Sequence, residues 1–403
     1  MTELSADDPR KTRLPVVALP VSGGAFELEL EVDRIARLRP VPATPQWVVL
    51  PAFANMHAHA ERSFAGGPLP KSLADAVKQS EEARKKSSEA EFCERATMLL
   101  ARALAHGTLR LRTHTDVDDL VEERALRGVM AARDRFIDRL DVEIVAFANA
   151  RTDPASREGK RRLNAALKLG ADLLGAVPAL APEPRSAVTA LLELARAGNV
   201  AVDFHLDEHG TPTKSLLGFV IDETVRYGLE GRVAVSHACA LATLPVAAAQ
   251  RLAQRLAAAR ITVITLPATN LYLQDRGEAT PRRRGITLVK ELLAADVDVR
   301  LGSDNVCDVF YPYGDADPLE DIWLAAVTAQ LDEPGPLIAM ACGGRTEPKV
   351  GDVADLVLVK AASFRDALAR RPSQRIVLRA GTPVEPPEPN RATVAAHSQS
   401  PYG

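Results

Sequence analysis

Residues 26–32 read Phe26-Glu-Leu-Glu-Leu-Glu-Val32, with apolar and charged positions alternating without a break. That is the signature of a strand with one buried and one wetted face. Two more β-rich runs lie far along the chain, at 353–359 and 375–379, with Gly351-Asp352 before the first and Gly381 after the second. Segments from both ends of the chain are therefore expected to build one small β-sandwich domain, over 14–48 and 345–382.

Between them the pattern changes. Apolar runs end near His57, His114, Phe147, Val177, His205, His237, Leu266 and Asp304, mostly about 30 residues apart, the length of a βα unit. The intervals, such as 71–105, 186–197, 245–259 and 289–295, carry helix formers with apolar residues three and four apart. Eight such repeats predict an α/β protein whose residues 49–335 close into a (β/α)8 TIM barrel. The longest interval, from His57 to His114, leaves room for a loop over the barrel mouth. Residues 1–13 are polar and charged, and 383–403 are rich in Pro, Ser, Ala and Glu, so both are expected to be disordered.

The run from Leu50 to Met56 leads into His57-Ala-His59. Strand side chains alternate, so both imidazoles face the same way and can grip one metal ion. His-x-His alone is weak evidence. Five of the eight histidines (His57, His59, His114, His205, His237) fall at predicted strand ends, where barrels of this kind place their chemistry. His205 is read as a third ligand. Glu208, three residues on, stands where a proton shuttle could reach both a metal-activated water and the substrate, the bland alternative being that Asp207 and Glu208 are solvated loop charges. Asp304 suits a fourth ligand that also accepts a proton, and His237 can polarise the substrate. Three histidines and one aspartate leave a position open for water, which marks a catalytic site rather than a structural one. The fourth strand, 171–177, has no lysine to bridge a second ion, so one metal is the simpler reading.

Composition narrows the partners. With 403 residues, 46% of them hydrophobic, the chain can bury a full barrel core. A net charge of −3 offers no basic field for nucleic acid or an anionic membrane. No apolar stretch approaches the roughly 18 residues of a membrane span. A small-molecule substrate is the default partner. Cys93, Cys239, Cys307 and Cys342 show no C-x-x-C spacing, which argues against a disulfide framework and for the cytoplasm. The charged stretch 71–91 is read as a solvated helix, with a homo-oligomer interface as the alternative.

The ordered set His-x-His, Arg112-Thr-His-Thr-Asp116, His205-Leu-Asp-Glu208, Ser236-His237 and Ser303-Asp304-Asn305 resembles the amidohydrolase superfamily, and within it the cytosine deaminase branch. The resemblance spans about 45–325 and includes Ile144-Val-Ala-Phe147, Lys168-Leu-Gly-Ala-Asp172, Asn270-Leu-Tyr-Leu-Gln274, Arg282-Arg-Arg-Gly-Ile-Thr287 and Tyr311-Pro-Tyr-Gly314. It implies His57, His59, His205 and Asp304 as ligands of one divalent ion, zinc or iron, Glu208 as the acid/base shuttle, and His237 beside the attacked carbon. The implied reaction is attack of metal-activated water on a ring amidine carbon with loss of ammonia.

Several positions depart from that branch. Where it carries a pyrimidine-gripping glutamine, this chain has Asn149 with Arg151 nearby. The paired aspartates after strand eight become Asp304-Asn305, and the following tryptophan becomes Phe310. These four (Asn149, Arg151, Asn305, Phe310) are the expected substrate contacts, on a ring of cytosine, isocytosine, pterin or related type. Arg151 reads more readily as an exposed loop charge. The s-triazine enzymes of the isopropylammelide type also read Ser-Asp-Asn, and have an acid, a base and Ser-Phe after His-x-His, as in Glu61-Arg62-Ser63-Phe64; Glu208 sides with cytosine deaminase. Hydrolysis of a cyclic amide or a substituted amine is therefore the alternative activity. A metal-free binding homologue would need a broken ligand set, and the set is complete.

Overall fold

The structure, a computed structural model, describes residues 5–8, 11–276 and 284–387. Its centre is a barrel of eight parallel strands: β1 (Phe53–Ala58), β2 (Thr108–Asp116), β3 (Asp141–Ala148), β4 (Leu173–Ala176), β5 (Ala201–Leu206), β6 (Val233–His237), β7 (Thr262–Thr265) and β8 (Val299–Leu301). Each pairs with the next in order. Beyond β8 the chain closes the ring onto β1. Asn55 and Ser303 exchange two hydrogen bonds, Nδ2 to Oγ at 2.7 Å and Ser303 N to Oδ1 at 3.1 Å, and Ala58 bridges Asp304 in parallel register. The expected strand ends fall within a few residues of the observed ones.

Helices pack outside the barrel through apolar faces. Helix Pro184–Gly198 buries Val188, Leu191, Leu192 and Ala195 on one side, starts on a proline whose missing N–H costs nothing there, and stops at Asn199 in the left-handed region. The interval between β1 and β2 is not a simple loop. It holds α1 (Leu73–Lys86) and α2 (Glu89–Ala105), split by a reciprocal Ser88–Glu91 capping box.

Both chain ends contribute to one curled, mixed sheet of nine strands with its own core of Leu28, Leu30, Ile35, Trp47, Val49, Leu356 and Leu358. The alternating run forms Gly23–Glu31, which pairs with Arg34–Pro40; Leu356–Val359 pairs with Arg375–Arg379. Three limits differ from expectation. The run read as one strand into the histidines is two: Trp47–Pro51 lies in the end sheet beside Leu356–Val359, and Ala52 hands the chain to β1. The expected disordered start instead holds Ser5–Asp8 and Lys11–Arg13, a hairpin whose second strand pairs with Gly23–Glu31. Ladder hydrogen bonds, which any polar residue can make, outweigh the polar composition. The first residue of the expected disordered tail, Pro383, instead belongs to the short strand Thr382–Pro383, paired onto 378–379. Residues 1–4, 9–10 and 388–403 of those two calls lie outside the described residues, as do Arg282 and Arg283. Among the described residues, no helix is long and apolar enough to cross a membrane.

Candidate metal centre

The C-terminal ends of β1, β5 and β8 bring four side chains together in a buried cluster. His205 Nε2 lies 3.1 Å from His57 Nε2 and 3.1 Å from His59 Nε2. Asp304 Oδ1 lies 3.3 Å from His59 Nε2 and 3.7 Å from His57 Nε2. A ring nitrogen carries either one proton or one lone pair, so His205 Nε2 cannot hydrogen-bond to both neighbours at once. Four ligands at about 2.1 Å around a tetrahedral ion would be separated by about 3.4 Å, so the donor spacing suits one shared cation. Burial, reinforced by the neighbouring imidazoles, and at His59 by Arg62, holds His57, His59 and His205 well below the usual histidine pKa, the neutral form a ligand needs. Burial pushes the Asp304 carboxyl up, a cost that a cation would remove.

The backbone is strained around these groups. Asp207, His237, Ala238 and Asp304 all have φ between 49° and 68°, in the left-handed region that non-glycine residues seldom occupy. Such strain gathers at functional sites because the surrounding fold must enforce it. At Asp207 the carboxylate is tied into the loop by Ser215 Oγ and by Leu216 N at 2.9 Å, so this acid is structural.

His237 completes the constellation. Its Nδ1 meets Asn270 Oδ1 at 2.8 Å, which fixes that nitrogen as the proton-bearing one and turns Nε2, a buried atom with no hydrogen-bond partner, towards the donors. His237 groups with His57 and Asp304 with ligand atoms all within 4.8 Å. Glu208 sits half-buried just past β5, its backbone carbonyl held by the Gln274 side chain. Among the described residues no hydrogen bond ties down its carboxylate.

The expected substrate contacts are placed less favourably. Asn149 is spent within the protein: its Nδ2 donates to Asp116 Oδ1 at 2.8 Å and Asp118 Oδ2 at 2.7 Å, and its Oδ1 accepts from Arg151 N. Arg151 is exposed and clamps Asp119 through two nitrogens at 2.6 Å, the bland reading of that residue. Asn305 is buried and donates to Asp308 at 2.7 Å. Phe310 is half-buried, with the Arg62 guanidinium 5.2 Å from its ring centroid. Arg62 also touches His59 and stands 3.9 Å from Asp116.

Sequence reasoning gave no role to Arg62, Asn270, Asp203, Ser236 or Glu61. Glu61 is fully buried with neither carboxylate oxygen hydrogen-bonded, and burial raises its pKa to about 7. One signal was there to be read: Asp203 lies two residues before His205, so both share a strand face.

The chain is similar to known proteins in sequence and fold. The sequence profile of the Amidohydrolase family matches residues 99–324. A pterin deaminase from Rhizobium rhizogenes is 32% identical over 84% of this chain and 80% of its own. The structure of 5-methylcytosine deaminase from Klebsiella pneumoniae with 5-fluorocytosine superposes with a TM-score of 0.83 at 24% identity, covering 94% of this chain and 98% of that one. N-isopropylammelide isopropylaminohydrolase from Burkholderia multivorans gives 0.77 at 27% identity, over 93% and 99%.

Proposed function

This chain belongs to the metal-dependent amidohydrolase family, and from that premise we propose that it is a hydrolytic deaminase that releases ammonia from a ring C–NH2 carbon of a nitrogen heterocycle. The observation that carries this reading is the unpartnered Nε2 of His237 beside the four converging donors. A planar amidine needs a group that orients the reacting atoms at the attacked carbon as well as an activated water, and this arrangement supplies a place for both.

His57, His59 and His205 through Nε2, with Asp304 through Oδ1, would hold one divalent ion, zinc or iron. When bound, such an ion lowers the pKa of a water from 15.7 towards about 7. Glu208, half-buried just past β5, takes a proton from the attacking water and delivers it to the departing amino group. The water oxygen bonds to the ring carbon, the exocyclic C–N bond breaks, and the second water proton ends on the ring nitrogen, so the products are a cyclic amide and ammonia. His237, its Nδ1–H held by Asn270, presents Nε2 as an acceptor that orients an N–H or O–H group at that carbon. The four free cysteines, three of them buried, fit a reducing compartment such as the cytoplasm.

Pterin is the first ring to test, because the curated relative that covers most of this chain deaminates pterins and because Arg62, above Phe310, offers a cation to a ring oxo group. The 27%-identical isopropylammelide enzyme supports a second reading, hydrolysis of a substituted amine. The deciding experiment measures product from metal-loaded protein on pterin, cytosine, 5-methylcytosine, isocytosine, amino-s-triazines and N-isopropylammelide. Ammonia from one ring class supports the deaminase; isopropylamine with no ammonia would transfer the assignment to the second reading.

A further inference from the structure

A line of buried polar groups crosses the barrel beneath the metal donors. Arg112 Nε donates to Glu143 Oε2 at 2.9 Å, and its Nη1 donates to Asp203 Oδ2 at 2.8 Å. Ser236 Oγ donates to Asp203 Oδ1 at 3.1 Å and lies 2.8 Å from His57 Nδ1. Asp203, Ser236 and His57 are fully buried. His114 lies against the line, its ring centroid 4.1 Å from that of His57 and its Nε2 3.5 Å from Asp203 Oδ1.

Proton counting fixes the direction of this chain. An ionised carboxylate only accepts, and a serine hydroxyl has one proton. Ser236 gives that proton to Asp203, so towards His57 its oxygen can only accept, and the proton between them belongs to His57 Nδ1. A neutral imidazole protonated on Nδ1 has its lone pair on Nε2, the atom that faces His205 and Asp304. With the chain reversed, Ser236 would donate to Nδ1 and the proton would move to Nε2, leaving a ring unable to ligate there.

We propose that Asp203 and Ser236 are positioning residues that set the tautomer and ring orientation of His57, with Arg112 anchoring Asp203, so that the site is preorganised for a divalent cation before one arrives. This rests on reading His57 as a ligand. Outer groups of this kind typically change metal affinity by about 10- to 100-fold.

The test measures zinc affinity of the full-length chain by competition with a chromophoric chelator, and the tautomer of His57 in metal-free protein by 15N NMR. Ser236→Ala and Asp203→Asn should each weaken zinc by about 10- to 100-fold and shift His57 away from the Nδ1–H form, while Ser236→Thr, which keeps the hydroxyl, recovers most of both. Asp203→Asn preserves shape but can donate to Ser236, so it tests direction rather than packing. Parent-like zinc affinity in folded Ser236→Ala or Asp203→Asn overturns the proposal. His57→Ala separates the two levels: if that variant binds zinc like the parent, the ligand reading itself is wrong.

Discussion

Asp304 and His57 meet twice at the seam where the barrel closes. The Asp304 backbone N donates to the His57 carbonyl at 2.8 Å, and its carboxylate Oδ1 lies 3.7 Å from His57 Nε2. The last strand-end and the first are thus joined by two residues of the buried donor cluster. Closing the barrel and building the site are one structural event.

Gly302 makes that seam possible. A Cβ there would lie 2.6 Å from His57 Cβ and 2.8 Å from the His57 carbonyl oxygen. Gly302→Ala should therefore cost about 1–3 kcal/mol by overpacking and weaken metal binding in the same variant. Urea denaturation with a parallel zinc titration checks this. Parent-like values for both would mean that the seam is looser than its geometry.

His57→Ala and Asp304→Ala should each lose metal and activity together. Stoichiometric metal in either purified variant, read by mass spectrometry, would refute the ligand assignment. For the parent, stripping with a chelator should lower Tm, because a cation that binds only the folded state stabilises it by mass action.

The barrel could be read from the sequence because βα spacing and buried parallel runs are local signals, and each strand-end histidine inherited its place from that rhythm. The end sheet was harder. Trp47–Pro51 runs through Ala52 into the start of β1 as one apolar stretch, 47–54, and only the partner strand Leu356–Val359, some 300 residues on, decides that the first part belongs elsewhere. The partners of Asn149 and Arg151 were hidden for the same reason. Their partners, Asp116, Asp118 and Asp119, sit on the neighbouring strand-end loop, and no periodicity reports which polar groups will satisfy one another across strands.

Glu208→Gln should retain metal but turn over about 10²-fold or more slowly, because the amide cannot ferry a proton. The fold should be unaffected, since among the described residues no hydrogen bond involves the Glu208 carboxylate. A variant with normal kcat would place the proton path elsewhere, with buried Glu61 the next group to test.

Arg84 pins α1 over the barrel mouth. It is 5% exposed, and its Nη1 lies 2.9 Å from Asp116 Oδ2 and 2.8 Å from Asp118 Oδ2. Burial pushes the Asp118 carboxyl up, but Arg84, Asn149 and the backbone N–H of Val121 outweigh it and hold the pKa below the usual aspartate value. A depressed acid stabilises the fold above its unfolded pKa of about 3.9, and that contribution is lost as pH falls through the lower folded value. Arg84→Met leaves buried Asp118 without its cation and Asp116 with only Arg62, 3.9 Å away, and should cost about 3–5 kcal/mol at pH 7. As pH falls from 5 towards 3, the parent loses the contribution that the variant already lacks, so the gap between them must narrow. Urea midpoints of both proteins at pH 7, 5 and 3.5 read this directly. A gap of constant size would show that Arg84 holds α1 by packing alone.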